Sequence, residues 1–136
     1  MRVKIDNGGF VPQRAHETDA GYDLRSPIAT NIMPYGSVVI DTRVHVELPP
    51  GKCAIIVSKS GLYMHHDIIS TGLIDEGFTG SIKIKMCNLG DYEYHVRKGD
   101  KIGQFMITNY YKENVEIVEE LPQTERGDGG YGSTGK

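Results

Sequence analysis

Along most of this chain apolar and polar residues alternate with a period of two. Val44-His45-Val46-Glu47-Leu48 switches at every position, so an extended segment here has one apolar side and one polar side. Pro49-Pro50-Gly51 stops that strand, and Cys53-Ala54-Ile55-Ile56-Val57 restarts as a second, more buried one. Ser81-Ile82-Lys83-Ile84-Lys85-Met86 alternates strictly, with Ile82, Ile84 and Met86 on one face and both lysines on the other. Ile102 to Ile107 and Val115 to Val118 read as further strands. No window keeps a 3.6-residue apolar stripe for three turns, and only Gly61 to Asp67 offers a short helix. The pattern predicts an all-β protein, either a jelly roll or a barrel-like sandwich.

Composition narrows this picture. At 136 residues the chain holds one core, and a second folded domain would leave neither enough apolar surface to bury. The apolar share of 38% is lean and 17 glycines are many, so turns are frequent and oligomerisation would help the core. Fifteen Lys and Arg against 18 Asp and Glu give a formal charge of −3, which argues against binding driven by a nucleic-acid backbone; any phosphate site is local. Cys53 and Cys87 stand apart, with neither a zinc knuckle nor a CxxC pair, and a reduced, cytoplasmic setting is the simplest expectation. The N-terminal residues lack the apolar run of a signal peptide or membrane span.

The last fifteen residues differ from the rest. Residues 122–136 contain five glycines and one aromatic, Tyr131, too little apolar area to offset their ordering entropy alone. The expected organisation is a β core over residues 1–121 and a glycine-rich arm over 122–136. Fully extended, that arm reaches on the order of 50 Å, enough to cross to a neighbouring subunit.

Several segments carry chemistry. In the arm, glycines let backbone N–H groups close around phosphate oxygens, Arg126, Ser133 and Thr134 add side-chain donors, and Tyr131 can lie flat on a base; a plain glycine tail is the competing reading. Ser58-Lys59-Ser60-Gly61 brings a hydroxyl, a cation and exposed N–H groups to a strand end, although it is no Walker A loop and an ordinary polar turn looks the same. Gly72-Leu73-Ile74-Asp75-Glu76-Gly77-Phe78-Thr79-Gly80 reads as a hairpin that can offer main-chain groups to a base edge, with Phe78 under a sugar and Asp75 holding a water and taking its proton. Asp23 is an acid able to hold a metal-bound water, and Gln104 follows a tight turn; taken singly, each is more simply a turn or strand residue. His65 and His66 are adjacent and lack a metal-ligand spacing.

In order, these segments resemble the five motifs of the trimeric dUTPase family. Ala20-Gly21-Tyr22-Asp23-Leu24 resembles the first, Ser58-Lys59-Ser60-Gly61-Leu62 the second and Gly72 through Gly80 the third. Gly99-Asp100-Lys101-Ile102-Gly103-Gln104 resembles the fourth, and Arg126 through Gly135 the fifth and most distinctive. The resemblance implies a jelly-roll-like β-clip fold, a homotrimer with shared active sites, and Mg²⁺-assisted hydrolysis of dUTP to dUMP and pyrophosphate, which supplies a dTMP precursor and keeps uracil out of DNA. It also implies roles. Asp75 is the general base in the Leu73-Ile74-Asp75 hairpin, Phe78 stacks below deoxyribose, and main-chain groups of Gly72 and Lys83 pair with uracil. Lys59, Ser60, Gly61 and Gln104 hold phosphates, Asp23 reaches Mg²⁺ through a water, and Arg126, Tyr131, Gly132, Ser133 and Thr134 close over base and γ-phosphate.

The chain departs from the family pattern in places. Lys59 and Lys101 stand where Arg is common, Ser58 where Pro is, and Phe78 where Tyr is; Gly77 and Thr79 replace an acid and a base, and Asp128 adds negative charge to the arm. Two other readings fit the same pocket: a dCTP deaminase, alone or bifunctional, and a nucleotide-responsive regulatory module that is catalytically idle.

Overall fold

The computed structural model describes residues 1–130. Ten strands and one short helix follow in the order β1 (Arg2–Ile5), β2 (Gly21–Arg25), β3 (Thr30–Ile32), β4 (Ser37–Glu47), β5 (Lys52–Val57), α1 (Ser60–His66), β6 (Ile68–Ile69), β7 (Thr71–Ile74), β8 (Ser81–Asn88), β9 (Tyr94–Val96) and β10 (Lys101–Asn109). The period-two stretches became strands because each has one covered face. Ile82, Ile84 and Met86 of β8 are buried while Lys83 and Lys85 are exposed, and Ile40, Val44 and Val46 of β4 are buried. α1 stops where Asp67 turns left-handed (φ 52°) and its N–H caps the Leu62 carbonyl, with His65 and His66 placed favourably in the last turn.

Two four-stranded antiparallel sheets, ordered β1-β4-β8-β6 and β2-β10-β5-β7, and a two-stranded β3-β9 pair enclose one core. Phe105, Leu24, Ile32, Ile68 and Ile102 are among its fully buried side chains, and each such residue contributes roughly 1.5–3 kcal/mol of burial energy. Buried Asn88 ties the small pair to β8, donating from Nδ2 to the carbonyls of Ile32 (3.1 Å) and Tyr92 (2.8 Å) and accepting from the Gly90 N–H (2.9 Å). β4 carries a bulge: Asp41 pairs with Lys83 and His45 with Ser81, so four steps on β4 match two on β8. The excess is even, and the buried–exposed phase of β4 therefore survives it.

Two expectations are corrected. Val115 to Val118 is not a strand; Val115 and Ile117 are 92% and 95% exposed, and no strand among the described residues follows Asn109. Alternation makes a segment suitable for a sheet, but a strand also needs an edge to pair with, and beyond Asn109 none is engaged. The Gly72–Gly80 segment is not a hydrogen-bonded hairpin either. β7 pairs with β5 and β8 with β4 and β6, so the turn between β7 and β8 crosses from one sheet to the other.

Candidate active site

That crossover opens the site. β7 is the outer strand of its sheet, and β6 covers only Cys87 and Asn88 of β8, so the facing edges of β7 and of Ser81–Met86 lack ladder partners. Between them lies a cavity of about 540 Å³, lined by Gly72, Phe78, Lys83 and Lys85 among others. Unpaired backbone groups along such a slot are free to bond water or a ligand of matching donors and acceptors. Ile56 forms its apolar wall, close enough that a Cβ on Gly72 would sit 3.2 Å from its Cδ1. The Phe78 ring lies across Gly80, where an added Cβ would fall 2.7 Å from Cζ.

The turn from Asp75 to Gly80 is held at three points. The Phe78 N–H donates to the Asp75 carbonyl at 3.1 Å. Glu76 accepts from the Gly51 N–H at 3.0 Å and from the Tyr110 hydroxyl, bonds that hold its carboxyl below the usual range, the Tyr110 bond most strongly. The Thr79 carbonyl meets His45 Nδ1 at 2.8 Å. Asp75 itself is exposed and lines a second cavity, of about 800 Å³, on the other side of the turn with Leu73, Leu48 and Tyr110; Ile74 is buried beneath. Phe78 and Asp75 thus flank the same turn from different cavities.

A second group gathers on β2, β10 and the end of β5. Asp23 is 5% exposed and accepts from two ammonium groups, Lys59 Nζ on Oδ1 and Lys101 Nζ on Oδ2, both at 2.6 Å. Burial pushes its carboxyl up, but the hydrogen bonds from Lys101 and Lys59 outweigh that and hold it below the ordinary carboxylate range. Gln104 stands opposite Asp23 in the β2–β10 ladder and donates from Nε2 to the Ser58 carbonyl at 3.2 Å. Gly21 gives that side chain room, since a Cβ there would lie 2.8 Å from Gln104 Cδ. Ser58 is consumed structurally, with its Oγ accepting from the Ser70 N–H at 2.8 Å, whereas Ser60 and Gly61 remain exposed at the start of α1.

The structure therefore brings Asp23, Lys59 and Gln104 together and, separately, Gly72, Leu73, Ile74, Asp75, Phe78 and Lys83. Asp75 and the Asp23 group sit at opposite ends of β5, while Gly72, opposite Ile56, lies near the Val57 end. Ala54 pairs with Ile74 at one end, and Val57 pairs with Thr71 and Gln104 at the other. From the level of Asp75 to Lys59 is six residues of extended chain, on the order of 20 Å. Arg126 is exposed, with Nε bonded to the Gly129 carbonyl at 2.9 Å inside a pair of tight turns. Tyr131, Gly132, Ser133 and Thr134 lie outside the described residues. Sequence reasoning missed Lys101 as the second cation on Asp23, Glu76 as an anchor and His45 as a contact to the turn. Each depends on cross-strand register, and local patterning carries no signal for it.

Among the described residues no cluster of three or more His, Cys, Asp or Glu is placed to hold a metal, and no helix is long and apolar enough to cross a membrane. Asp23, with one carboxylate and two cations, suits contact with a metal through water and not a bare ion site.

The dUTPase family model matches residues 9–135. A deoxyuridine 5'-triphosphate nucleotidohydrolase of Clostridium acetobutylicum is 43% identical over 135 residues, covering 97% of this chain and 93% of that one. The mitochondrial human enzyme of the same name is 37% identical, covering 98% of this chain and 54% of its own. Among solved structures, Staphylococcus bacteriophage 80alpha dUTPase with dUpNHpp superposes with a TM-score of 0.91 at 30% identity, covering 99% and 98% of the two chains. A dUTPase mutant from phage phi11 of S. aureus, described with a structural Mg(II) ion, gives 0.81 at 27%, over 88% and 97%. A family model matched over residues 9–135, with relatives 43% and 37% identical over nearly the whole of this chain, carries one conclusion: the chain belongs to the dUTPase family.

Proposed function

We propose that this chain hydrolyses dUTP to dUMP and pyrophosphate, with Asp75 activating the water that attacks the α-phosphorus. The observation that carries the reading is the slot between the facing, unpaired edges of β7 and β8, a cavity that Gly72, Phe78 and Lys83 line. Uracil offers an N3–H donor and an O4 acceptor where cytosine offers the reverse, so a fixed pair of strand edges satisfies one base and leaves buried groups unpaired against the other. The Phe78 ring, pressed on Gly80, packs beneath deoxyribose where a 2′-hydroxyl has no room.

Phosphate chemistry requires the second group. A triphosphate is far shorter than the roughly 20 Å from Asp75 to Lys59 in one protomer, which supports a site completed by Lys59, Ser60, Gly61 and Gln104 of another copy in a homotrimer. Mg²⁺ carried on the substrate's phosphates would supply charge neutralisation on the triphosphate. Were Lys59 to turn from Asp23 to a phosphate oxygen, Lys101 would keep Asp23 compensated, and the freed Oδ1 would be able to accept from a water on the substrate's Mg²⁺. Arg126, Tyr131, Gly132, Ser133 and Thr134 close the arm over the nucleotide and exclude bulk water. Neither cysteine is paired, in keeping with a cytoplasmic enzyme.

The test is pyrophosphate release from dUTP with Mg²⁺. Asp75→Asn is expected to lower kcat by roughly 10²–10⁴-fold while dUpNHpp still binds, since the base is lost and the slot remains. Turnover unchanged in that variant removes Asp75 from the role.

A further inference from the structure

His45 stands outside every motif, on the far side of the β4 bulge, yet it is the side chain that grips the catalytic turn from β4. Its ring is bonded at both nitrogens: Nδ1 lies 2.8 Å from the Thr79 carbonyl and Nε2 2.9 Å from Asp6 Oδ2. Both partners are pure acceptors. A peptide carbonyl has no proton to give, and Asp6 is held below the ordinary carboxylate range, by Lys4 first and His45 second. A neutral imidazole has one N–H, so in either tautomer one contact would set a lone pair against an oxygen; only the imidazolium donates to both.

We propose that His45 is a positioning residue whose protonated ring latches the Asp75–Gly80 turn to the end of β1, so that the placement of the catalytic turn depends on pH. This rests on the function proposed above for Asp75 and Phe78. Thr79 is the residue next to Phe78, and Ser81, the register partner of His45, opens β8. Other charged groups facing the ring are Lys4 on β1, whose Nζ shares Asp6 at 2.9 Å, and Asp41 on β4, which accepts from the Ser81 hydroxyl. Arg2 and Glu47 line the same groove and pair with each other. The hydrogen bond to Thr79 and then that to Asp6 raise the ring's affinity for a proton, outweighing burial and Lys4. The sign follows: the latch is complete below the ordinary imidazole pKa and is lost as pH rises through the raised value of the folded protein.

The experiment is an NMR titration of the full chain from about pH 5 to about pH 9, paired with kcat and KM for dUTP over the same range. The His45 ring signals are identified by their absence in His45→Gln. The expected result is a ring titrating above the ordinary imidazole value, with the amides of Thr79 and Gly80 shifting in the same step. In that step kcat/KM falls by roughly 10- to 100-fold. In His45→Gln the limb disappears and activity is uniformly low; in Asp6→Asn, which keeps the ring, the limb moves to lower pH. A merely structural histidine would lower activity without changing the profile. A ring titrating at or below the ordinary value, turn amides that ignore it, or an unaltered alkaline limb in His45→Gln each overturns the latch. Coupled amide and ring titration in a protein that leaves dUTP intact would uphold the latch and defeat the proposed reaction.

Discussion

Phe78 can lie flat under the slot because residue 80 has no side chain. A Cβ at Gly80 would meet Cζ at 2.7 Å and Cε2 at 2.9 Å, so Gly80→Ala must lift the ring. We expect that variant to fold, to raise KM for dUTP by about 10-fold and to discriminate less against UTP, measured as kcat/KM on the two nucleotides. Residue types were readable at this scale. The alternation of Ile82 and Ile84 with Lys83 and Lys85 appears in the burial of β8, and the structure sets Gln104 opposite Asp23 and puts Asp75 and Phe78 on one turn. What was not readable was pairing: that Lys59 and Lys101 share Asp23, or that Glu76 reaches Gly51 and Tyr110, depends on strands brought together from far apart in sequence.

At the scale of elements, the β4 bulge matters most because it sets the edge on which β8 and the Asp75–Gly80 turn rest. Thr42, fully buried inside it, donates to the Ile82 carbonyl at 2.7 Å and accepts from the Val44 N–H at 3.3 Å. Arg43, at a φ of 62°, donates to the Asn7 carbonyl and holds the segment after β1 against it. Thr42→Val keeps the shape and strands two buried backbone groups, and is expected to cost about 1–3 kcal/mol in chemical denaturation. A variant as stable as the parent would contradict that role. The strands were legible from period two because burying one face leaves that mark on a sequence. The hairpin and the Val115–Val118 strand were misread for a shared reason: alternation reports which face is apolar, whereas hydrogen-bonded partners are set by tertiary arrangement. Here the misread hairpin is the slot proposed to hold the base, because β7 and β8 do not pair and leave a cavity between them.

For the whole molecule, the core closes before Tyr110, and Tyr111 to Asp128 are exposed. Removing residues 122–136 is therefore expected to leave the β core folded by circular dichroism while pyrophosphate release falls by at least about 10²-fold, since the donors proposed to close over the γ-phosphate go with the arm. Full activity in the truncated protein would show that the arm is no lid. With Lys59 from another copy, as proposed, assembly would be part of catalysis, and activity is expected to fall with dilution wherever subunits dissociate, measured as pyrophosphate release against protein concentration.

The central claim, that unpaired edges of β7 and β8 read uracil over a sugar lacking a 2′-hydroxyl, is met most directly by product analysis on dUTP, dCTP, dTTP and UTP in parallel with Mg²⁺ present. The account predicts dUMP and pyrophosphate from dUTP, with the other three slower by several powers of ten and no ammonia from dCTP. Comparable cleavage of dCTP or UTP, or release of ammonia, would contradict it.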